Sequence, residues 1–209
     1  MCSICQRRRI SFRSNAAAIT SHSSLLNLQS RYVRDAHTVE MFKESQNRVQ
    51  SMALIHERLY HSNDAARLDF ESYLRTLMAN LFASYSTSNT AIALKLNVDH
   101  ITFGVDTAIP CGLIVHELVA NALKHAFPGG KPGEIHLDLR AGDNGRYTLR
   151  VRDNGDGFPE DVDFRRVESL GLKLVNMLTR QLDGAIELQR NGGTTFTITF
   201  TELQYRKRV

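Results

Sequence analysis

Ten consecutive residues, His116-Glu117-Leu118-Val119-Ala120-Asn121-Ala122-Leu123-Lys124-His125, set an acid, an amide, an amine and an imidazole into an otherwise apolar run. At the helical period, Glu117, Asn121, Lys124 and His125 fall on one face. Leu113, Ile114, Val115, Leu118, Val119, Ala122 and Leu123 cover the others, so the helix is expected to be largely buried. Buried carboxylates and amines are costly unless something pairs with them. Alone, the stripe also admits a line of buried ion pairs, the lesser of the two readings. As the lining of a cleft it offers a carboxylate, an amide oxygen and a cationic amine, which suit a metal–phosphate ligand.

Other segments supply what a cleft needs. Arg146 to Asp153 reads as a strand, with Tyr147, Leu149 and Val151 alternating against Thr148, Arg150 and Arg152. That period puts Asp153 on the apolar face, where a carboxylate needs donors. Asn154-Gly155-Asp156-Gly157-Phe158-Pro159 follows, and its glycines allow a sharp turn and a close approach to a ligand. By itself this spacing is that of many strand-ending turns. Ser169 can cap a helix running through Leu172, Val175, Leu178 and Leu182, and Gly171 leaves its first turn uncrowded for an anion. Asn191-Gly192-Gly193-Thr194-Thr195 then turns into a last strand, where Phe196, Ile198 and Phe200 alternate with threonines.

The series HELVANALKHAF, RDNGDGFP, SLGLKLV and GGTTFTITF resembles, in order, the nucleotide-binding boxes of the GHKL ATPase superfamily. More narrowly it resembles sensor histidine kinases of the class related to the HWE kinases. The upstream text SLLNLQSRYVRDAHTVEMFKESQNRVQSMALIHERLYHS is similar to the dimerisation hairpin of that class, so the resemblance runs from about residue 24 to 202. It implies a Bergerat-type ATP-binding fold, ATP and magnesium as ligands, a homodimer, and a response regulator as partner. It further implies that Asn121 coordinates the magnesium ion and that Glu117 is the general base or orients the attacking imidazole. Lys124 and His125 would lie near the phosphates, and Asp153 would accept the exocyclic amine of adenine. Gly155 and Gly157 would floor the base, Gly171 and Leu172 would open the phosphate-facing helix, and Thr195 would sit beside the adenine. Residues between Phe158 and Ser169 would form a short lid, although lid arginines such as Arg165 and Arg166 are more often solvated than functional.

One part of the pattern is missing. In this class a phosphoacceptor histidine precedes the SLLNLQ text by about a dozen residues, which falls near Arg13, and no histidine stands there. The N-terminal segment therefore reads as replaced, truncated or misread, with His22 as the remaining substitute acceptor. His56-Glu57 mimics a His–acid acceptor pair, yet Phe42, Ser45, Val49, Met52, His56 and Leu59 follow the spacing of a helix-packing seam. His37 follows Asp35, a residue suited to cap a helix start. His61, His100 and His136 have no sequence neighbours that suggest a role.

Composition frames these readings. Hydrophobic residues make up 42% of 209, enough for a real core, and the net charge is +4. Residues 1–62 hold nine Lys/Arg against four Asp/Glu, while the remainder holds 17 against 18. The basic residues cluster only at Arg7-Arg8-Arg9, without a groove-reading motif, so a solvated tail is expected and nucleic acid is not. Cys2-x-x-Cys5 has no second pair to complete a zinc site, and Cys111 reads as an apolar filler. Three cysteines without a disulfide framework fit a reducing cytosol. No run is long enough to span a bilayer, so a cytoplasmic location is expected.

The expected organisation is a poorly patterned segment 1–20, a helical-hairpin dimerisation and phosphotransfer region 21–62, an ATP-binding catalytic domain 63–203 and a basic tail 204–209. The hairpin helices are Ser21–Tyr32 and Ala36–Tyr60, which need a second hairpin to bury their faces. Beyond His61-Ser62-Asn63-Asp64 come a helix near Phe70–Ser84 and strands near Ile92–Val98 and Ile101–Val105. The Glu117 helix, strands near Glu134–Ala141 and Arg146–Asp153, the Ser169–Leu182 helix and a final hairpin complete an α+β, two-layer α/β sandwich. The expected activity is transfer of the ATP γ-phosphoryl group to histidine and then to a response-regulator aspartate. Two alternatives are a degenerate ATP-binding adaptor and a serine kinase of the anti-sigma type.

Overall fold

The computed structural model describes residues 35–61, 67–85, 91–167 and 169–203. The first expected hairpin helix, His22, the Cys2/Cys5 pair and the basic tail lie outside the described residues. The chain divides into two units, Met1–Leu68 and Asp69–Val209.

In the first unit, helix α1 (Ala36–His61) starts where Asp35 caps it. Asp35 Oδ2 accepts the Thr38 N–H at 2.8 Å and the Thr38 hydroxyl at 2.6 Å, satisfying a donor of the open first turn. Glu44 and Arg48 pair one turn apart at 3.4 Å. Ser51 and Ile55 are buried, and Phe42, Val49 and Met52 are half-buried. The His56 side chain lies outside the description.

The second unit begins within β1 (Arg67–Asp69) and continues through α2 (Phe70–Tyr85), β2 (Ile92–Val98), β3 (Thr102–Gly104) and α3 (Val105–Asn121). After two irregular turns come β4 (Gly133–Ala141), β5 (Arg146–Asp153), α4 (Leu170–Gln181), β6 (Ala185–Gln189) and β7 (Thr195–Thr201). The strand expected over Ile101–Val105 shrinks to the three residues of β3. Gly104 stands just before α3 with extended backbone, and Val105 already belongs to the helix despite its β-branched side chain.

Five strands form one sheet in the order β2-β4-β5-β7-β6, with β2 and β4 parallel and every other pair antiparallel. Its register lines up the apolar residues in rows. Leu96, Leu137, Val151, Phe196 and Leu188 form one row, and Val98, Leu139, Leu149, Ile198 and Ile186 the next. The opposite face carries Lys95, His136, Asp138, Arg150 and Arg152, so only one face of the sheet is apolar. The helices cover that face: α3 buries Leu113, Ile114, Leu118 and Val119, and α4 buries Leu172, Val175 and Leu178. The result is the expected two-layer α+β sandwich.

Helix α2 closes the other side of α3. Tyr73 is fully buried against Gly112, where a Cβ would strike its ring and hydroxyl. Burial pushes the Tyr73 phenol and the neighbouring Cys111 thiol far up, so both stay neutral. Cys111 thus has the filler role expected of it. The start of α3 has no capping side chain of its own. Instead Glu202 Oε1 accepts the Gly104 N–H at 2.9 Å, and Thr107 Oγ1 accepts the Leu203 N–H at 2.9 Å. The residues after β7 therefore complete this helix terminus, with a carboxylate where the helix dipole favours one.

Candidate functional site

Asp153 is the last residue of β5, in register with Ile135 and hence on the apolar face. It is only 5% exposed. Its Oδ1 accepts two backbone N–H groups, from Gly155 at 3.0 Å and from Thr194 at 3.2 Å. Among the described residues no protein group bonds Oδ2. The glycines make this arrangement possible. A Cβ on Gly193 would run into the Asp153 carbonyl, and a Cβ on Gly155 into the Ala126 carbonyl. Gly193 and Gly157 also hold φ of +116° and +87°, which other residues rarely adopt.

A cavity of about 390 Å³ opens beside this carboxylate. One wall is Leu118, Asn121, Ala122, His125 and Ala126, and another is Val151 and Asp153 of β5 with Thr194 and Phe196. Gly157, Phe158, Pro159 and Val162 form a third side, and Ser169 and Leu172 at the start of α4 a fourth. The lining is mostly apolar with a few convergent polar groups, the composition of a small-molecule site. An aromatic heterocycle fits the apolar part, and Asp153 Oδ2 is an acceptor for an N–H on its edge. The Asn121 amide, half-buried and bonded to no described protein group, is a free oxygen donor for a cation at another point of the same lining. Among the described residues no three His, Cys, Asp or Glu side chains gather as a metal site. An ion here would take its remaining ligands from a bound phosphate and water.

The expected polar stripe is partly dispersed, and the backbone gives the reason. The α-helix ends at Asn121 and passes into a π turn over Ala122–Ala126. A π turn closes i→i+5 bonds and so carries more residues per turn than an α-helix. The face slips accordingly. His125 stays with Asn121 on the cavity lining, whereas Lys124 turns to Tyr85, its Nζ 5.2 Å from the ring centroid. Glu117 is 3% exposed and lies outside the lining, one residue before Leu118.

Other expected site residues fall as follows. Gly157 and Leu172 line the cavity. Gly155 lies behind it, under the Ala126 carbonyl, where the Asp156 N–H also bonds at 2.9 Å. Gly171 is buried in the first turn of α4, and Ser169 stands at the N-cap without a side-chain capping bond. Thr195 is paired within the sheet, while its neighbour Thr194 lines the cavity. Arg165 donates to the Ile186 carbonyl at 3.2 Å, and Arg166 faces Asp163 at 3.7 Å.

Sequence reasoning missed Thr194, Val151, Phe196, Pro159 and Val162 as lining. The signal for two of them was present: Val151 and Phe196 lie on the inward phase of their strands and are direct partners. It also missed a partner for His136, whose Nε2 lies 2.8 Å from Glu134 Oε2 on the polar face of the sheet. Lys95, 39 residues away in sequence, reaches the same carboxylate at 2.9 Å. Lys95 first and His136 second hold the Glu134 carboxyl below the usual range.

Comparison with known proteins finds matches over both parts of the chain. Residues 17–85 match the family described as "Histidine kinase". Residues 107–204 match the family described as "Histidine kinase-, DNA gyrase B-, and HSP90-like ATPase". The chain is 28% identical over 156 residues to Blue-light-activated histidine kinase 2 of Erythrobacter litoralis, covering 74% of this chain and 45% of that protein. It is 29% identical over 177 residues to the sensor histidine kinase PdtaS of Mycobacterium tuberculosis, covering 82% of this chain and 34% of that protein. The chain thus spans less than half the length of these curated relatives. The solved histidine kinase domain of the Erythrobacter litoralis EL346 blue-light activated histidine kinase has the same fold, with a TM-score of 0.70 at 23% identity over 87% of this chain and 95% of that one. Among the described residues no helix is long and apolar enough to cross a membrane. With one segment matching the first family and a following domain matching the second, this chain is similar in its two parts to histidine kinases and to the gyrase B- and HSP90-like ATPases.

Proposed function

We propose that the cavity binds ATP, with the base on Asp153 and the phosphates toward Asn121, and that the γ-phosphoryl group passes to a histidine nitrogen. The single observation that carries this reading is the Asp153 carboxylate. Two N–H groups hold Oδ1 in place, and Oδ2 is left as a buried acceptor at the edge of an apolar cavity. Adenine offers an exocyclic amine to such an acceptor. Guanine presents a carbonyl at the corresponding position and would leave two acceptors facing each other, a costly buried mismatch.

Asn121 and the phosphates are the groups that would hold magnesium, and the bound ion would neutralise charge on the triphosphate. This chain's own residues do the rest. The apolar walls exclude water from the base. His125, on the lining beside Asn121, and the start of α4, with Gly171 and Leu172, supply polar and backbone groups on the phosphate side. Lys124 would have to leave Tyr85 to add its charge. Glu117 is the proposed base, taking the proton from the attacking imidazole. The phosphorus–oxygen bond to ADP breaks as the phosphorus–nitrogen bond forms, and the phosphohistidine then passes its phosphoryl group to an aspartate of a response regulator. A homodimer built on the hairpin region would bring the acceptor into reach.

A second reading is favoured by one observation: no histidine stands near Arg13, about where the resemblance puts the acceptor. An ATP-binding dimeric partner without its own acceptor would retain the cavity and lose the autokinase step. Incubation with magnesium and γ-labelled ATP, followed by acid treatment and site mapping, tests both. Acid-labile label on a histidine is the expected result for an autokinase. ATP binding without label supports the adaptor reading, and acid-stable label on serine removes the histidine kinase assignment.

A further inference from the structure

The segment that follows the glycine turn is tied to the strands beneath it by two arginines arranged reciprocally. From the segment, Arg165 donates to the Ile186 carbonyl of β6 at 3.2 Å. From just past the end of β6, Arg190 donates to the Val162 carbonyl of the segment at 2.9 Å. Each guanidinium also lies over a ring of the segment: Arg165 over Phe164 at 4.8 Å, and Arg190 over Phe158 at 5.6 Å. The two rings meet on a third, Phe196, with centroids 5.6 Å and 6.1 Å away and edge-to-face geometry in both cases. The result is a continuous stack, cation, ring, ring, ring, cation, whose central ring belongs to β7 and lines the cavity.

A third tie comes from α4, where Asn176 Nδ2 donates to the Phe164 carbonyl at 3.1 Å. Arg190 is half-buried and its Nε is buried without a hydrogen-bond partner among the described residues. An unpaired buried donor is unfavourable, so the remaining contacts of this arginine outweigh that loss. What they hold in place is cavity wall: Phe158 and Val162 both line the pocket, and Arg190 touches both.

We propose that Arg190 is a positioning residue for the nucleotide: together with Arg165 it clamps the residues between Phe158 and Arg166 against β6, so that the cavity wall stands before the ligand arrives. The inference rests on the ATP reading of the cavity and adds to it. A wall formed in advance spares the ligand the cost of ordering it. Loss of the clamp leaves the segment to be ordered on binding.

The test uses the full chain and two readouts, the dissociation constant for magnesium-ATP by calorimetry and the rate of tryptic nicking after Arg165 and Arg166 without nucleotide. Arg190→Met is expected to weaken ATP binding about tenfold, equivalent to about 1.4 kcal/mol, and to speed nicking. Arg190→Lys, which keeps a cation and a donor, is expected to recover part of the lost affinity. Wild-type values of both readouts in Arg190→Met overturn the proposal. So does faster nicking with unchanged affinity, weaker binding with unchanged nicking, or no recovery in Arg190→Lys. Should Arg190→Met fail to fold, Arg165→Met cuts the same stack from its exposed end, and nicking is read after Arg166. Asp153→Asn separates the two ideas. If it leaves ATP affinity intact, the ATP reading of the cavity fails, and the nicking rate still judges the clamp.

Discussion

The Oδ1 of Asp153 accepts the backbone N–H of Thr194 at 3.2 Å across 41 residues of chain, and the Thr194 carbonyl in turn accepts the Asp153 N–H at 2.9 Å. This two-way bond joins the end of β5 to the start of β7. It fixes which carboxylate oxygen the protein uses and which is left without a partner among the described residues.

Asp153→Asn keeps the size of the side chain and the two bonds to Oδ1 but can place an NH2 donor where Oδ2 was. Two donors would then face each other at the adenine amine. Since hydrogen bonds to a charged group contribute about 1.5–3 kcal/mol, ATP affinity should fall roughly 10- to 100-fold, and preference over GTP should shrink. Competition calorimetry with both nucleotides reads this. Unchanged preference would remove Asp153 from base recognition.

Asn121→Ala should abolish the magnesium dependence of ATP binding while leaving the fold intact. Its amide bonds no described protein group, so truncation leaves nothing buried and unpaired. A thermal midpoint near wild type with lost magnesium dependence is the expected pair of results. Magnesium titrations that superimpose on wild type would show that the ion is held elsewhere.

Gly193→Ala should be destabilising without touching the ligand. Its φ of +116° disfavours any side chain, and the added Cβ meets the Asp153 carbonyl. Strained backbone of this kind costs of order 1–3 kcal/mol, and the collision adds to it. Urea unfolding measures the loss.

Glu202→Ala removes the carboxylate that receives the Gly104 N–H at the start of α3. A lost cap of this type costs about 1 kcal/mol. The readout is the unfolding midpoint, and hydrogen exchange at residues 104–107 should rise with it.

Acid should weaken the domain through two carboxylates on the polar edge of the sheet. The Arg140 side chain first, and then the Ala141 N–H, hold the Asp99 carboxyl below its ordinary range. Lys95 and His136 do the same for Glu134. A carboxyl depressed in the folded state adds stability above its unfolded pKa, about 4 for these residues. That contribution disappears as pH falls through the folded value. Urea midpoints taken from pH 6 downward, with "about 4" as the region of onset, should drop less steeply in Asp99→Asn than in wild type. Parallel curves would show that these pairs contribute nothing measurable, as exposed pairs often do.

How much of this was legible beforehand depends on the range of the interaction. Period-two alternation placed Asp153 on the inner face, because strand phase is a local property. The same local rule recovered Ile92–Val98 and Arg146–Asp153 with their observed bounds. The helical wheel put Asn121, Lys124 and His125 on one face; Asn121 and His125 share the cavity lining but Lys124 turns to Tyr85, because a π turn within Ala122–Ala126 leaves no mark in residue types. Thr195 was expected beside the base, whereas it is Thr194 that lines the cavity, since the entry into β7 depends on how Gly193 passes over Asp153. The Lys95–Glu134–His136 group and the Glu202–Gly104 bond were invisible for a simpler reason. They join residues far apart in sequence, and no local pattern announces them.

The tie between the residues after β7 and the start of α3 bears on the order in which the molecule can be made. Helix α3 carries Asn121, yet its start is capped by Glu202 and tied to Leu203 through Thr107, and the orientation of Asp153 depends on Thr194. On the ribosome, the helix and the strand emerge long before either bond can form. A nascent chain paused before residue 194 would hold Asn121, Asp153 and all of α4 and still lack the pocket. The pocket is therefore complete only when the last strand lies between β5 and β6.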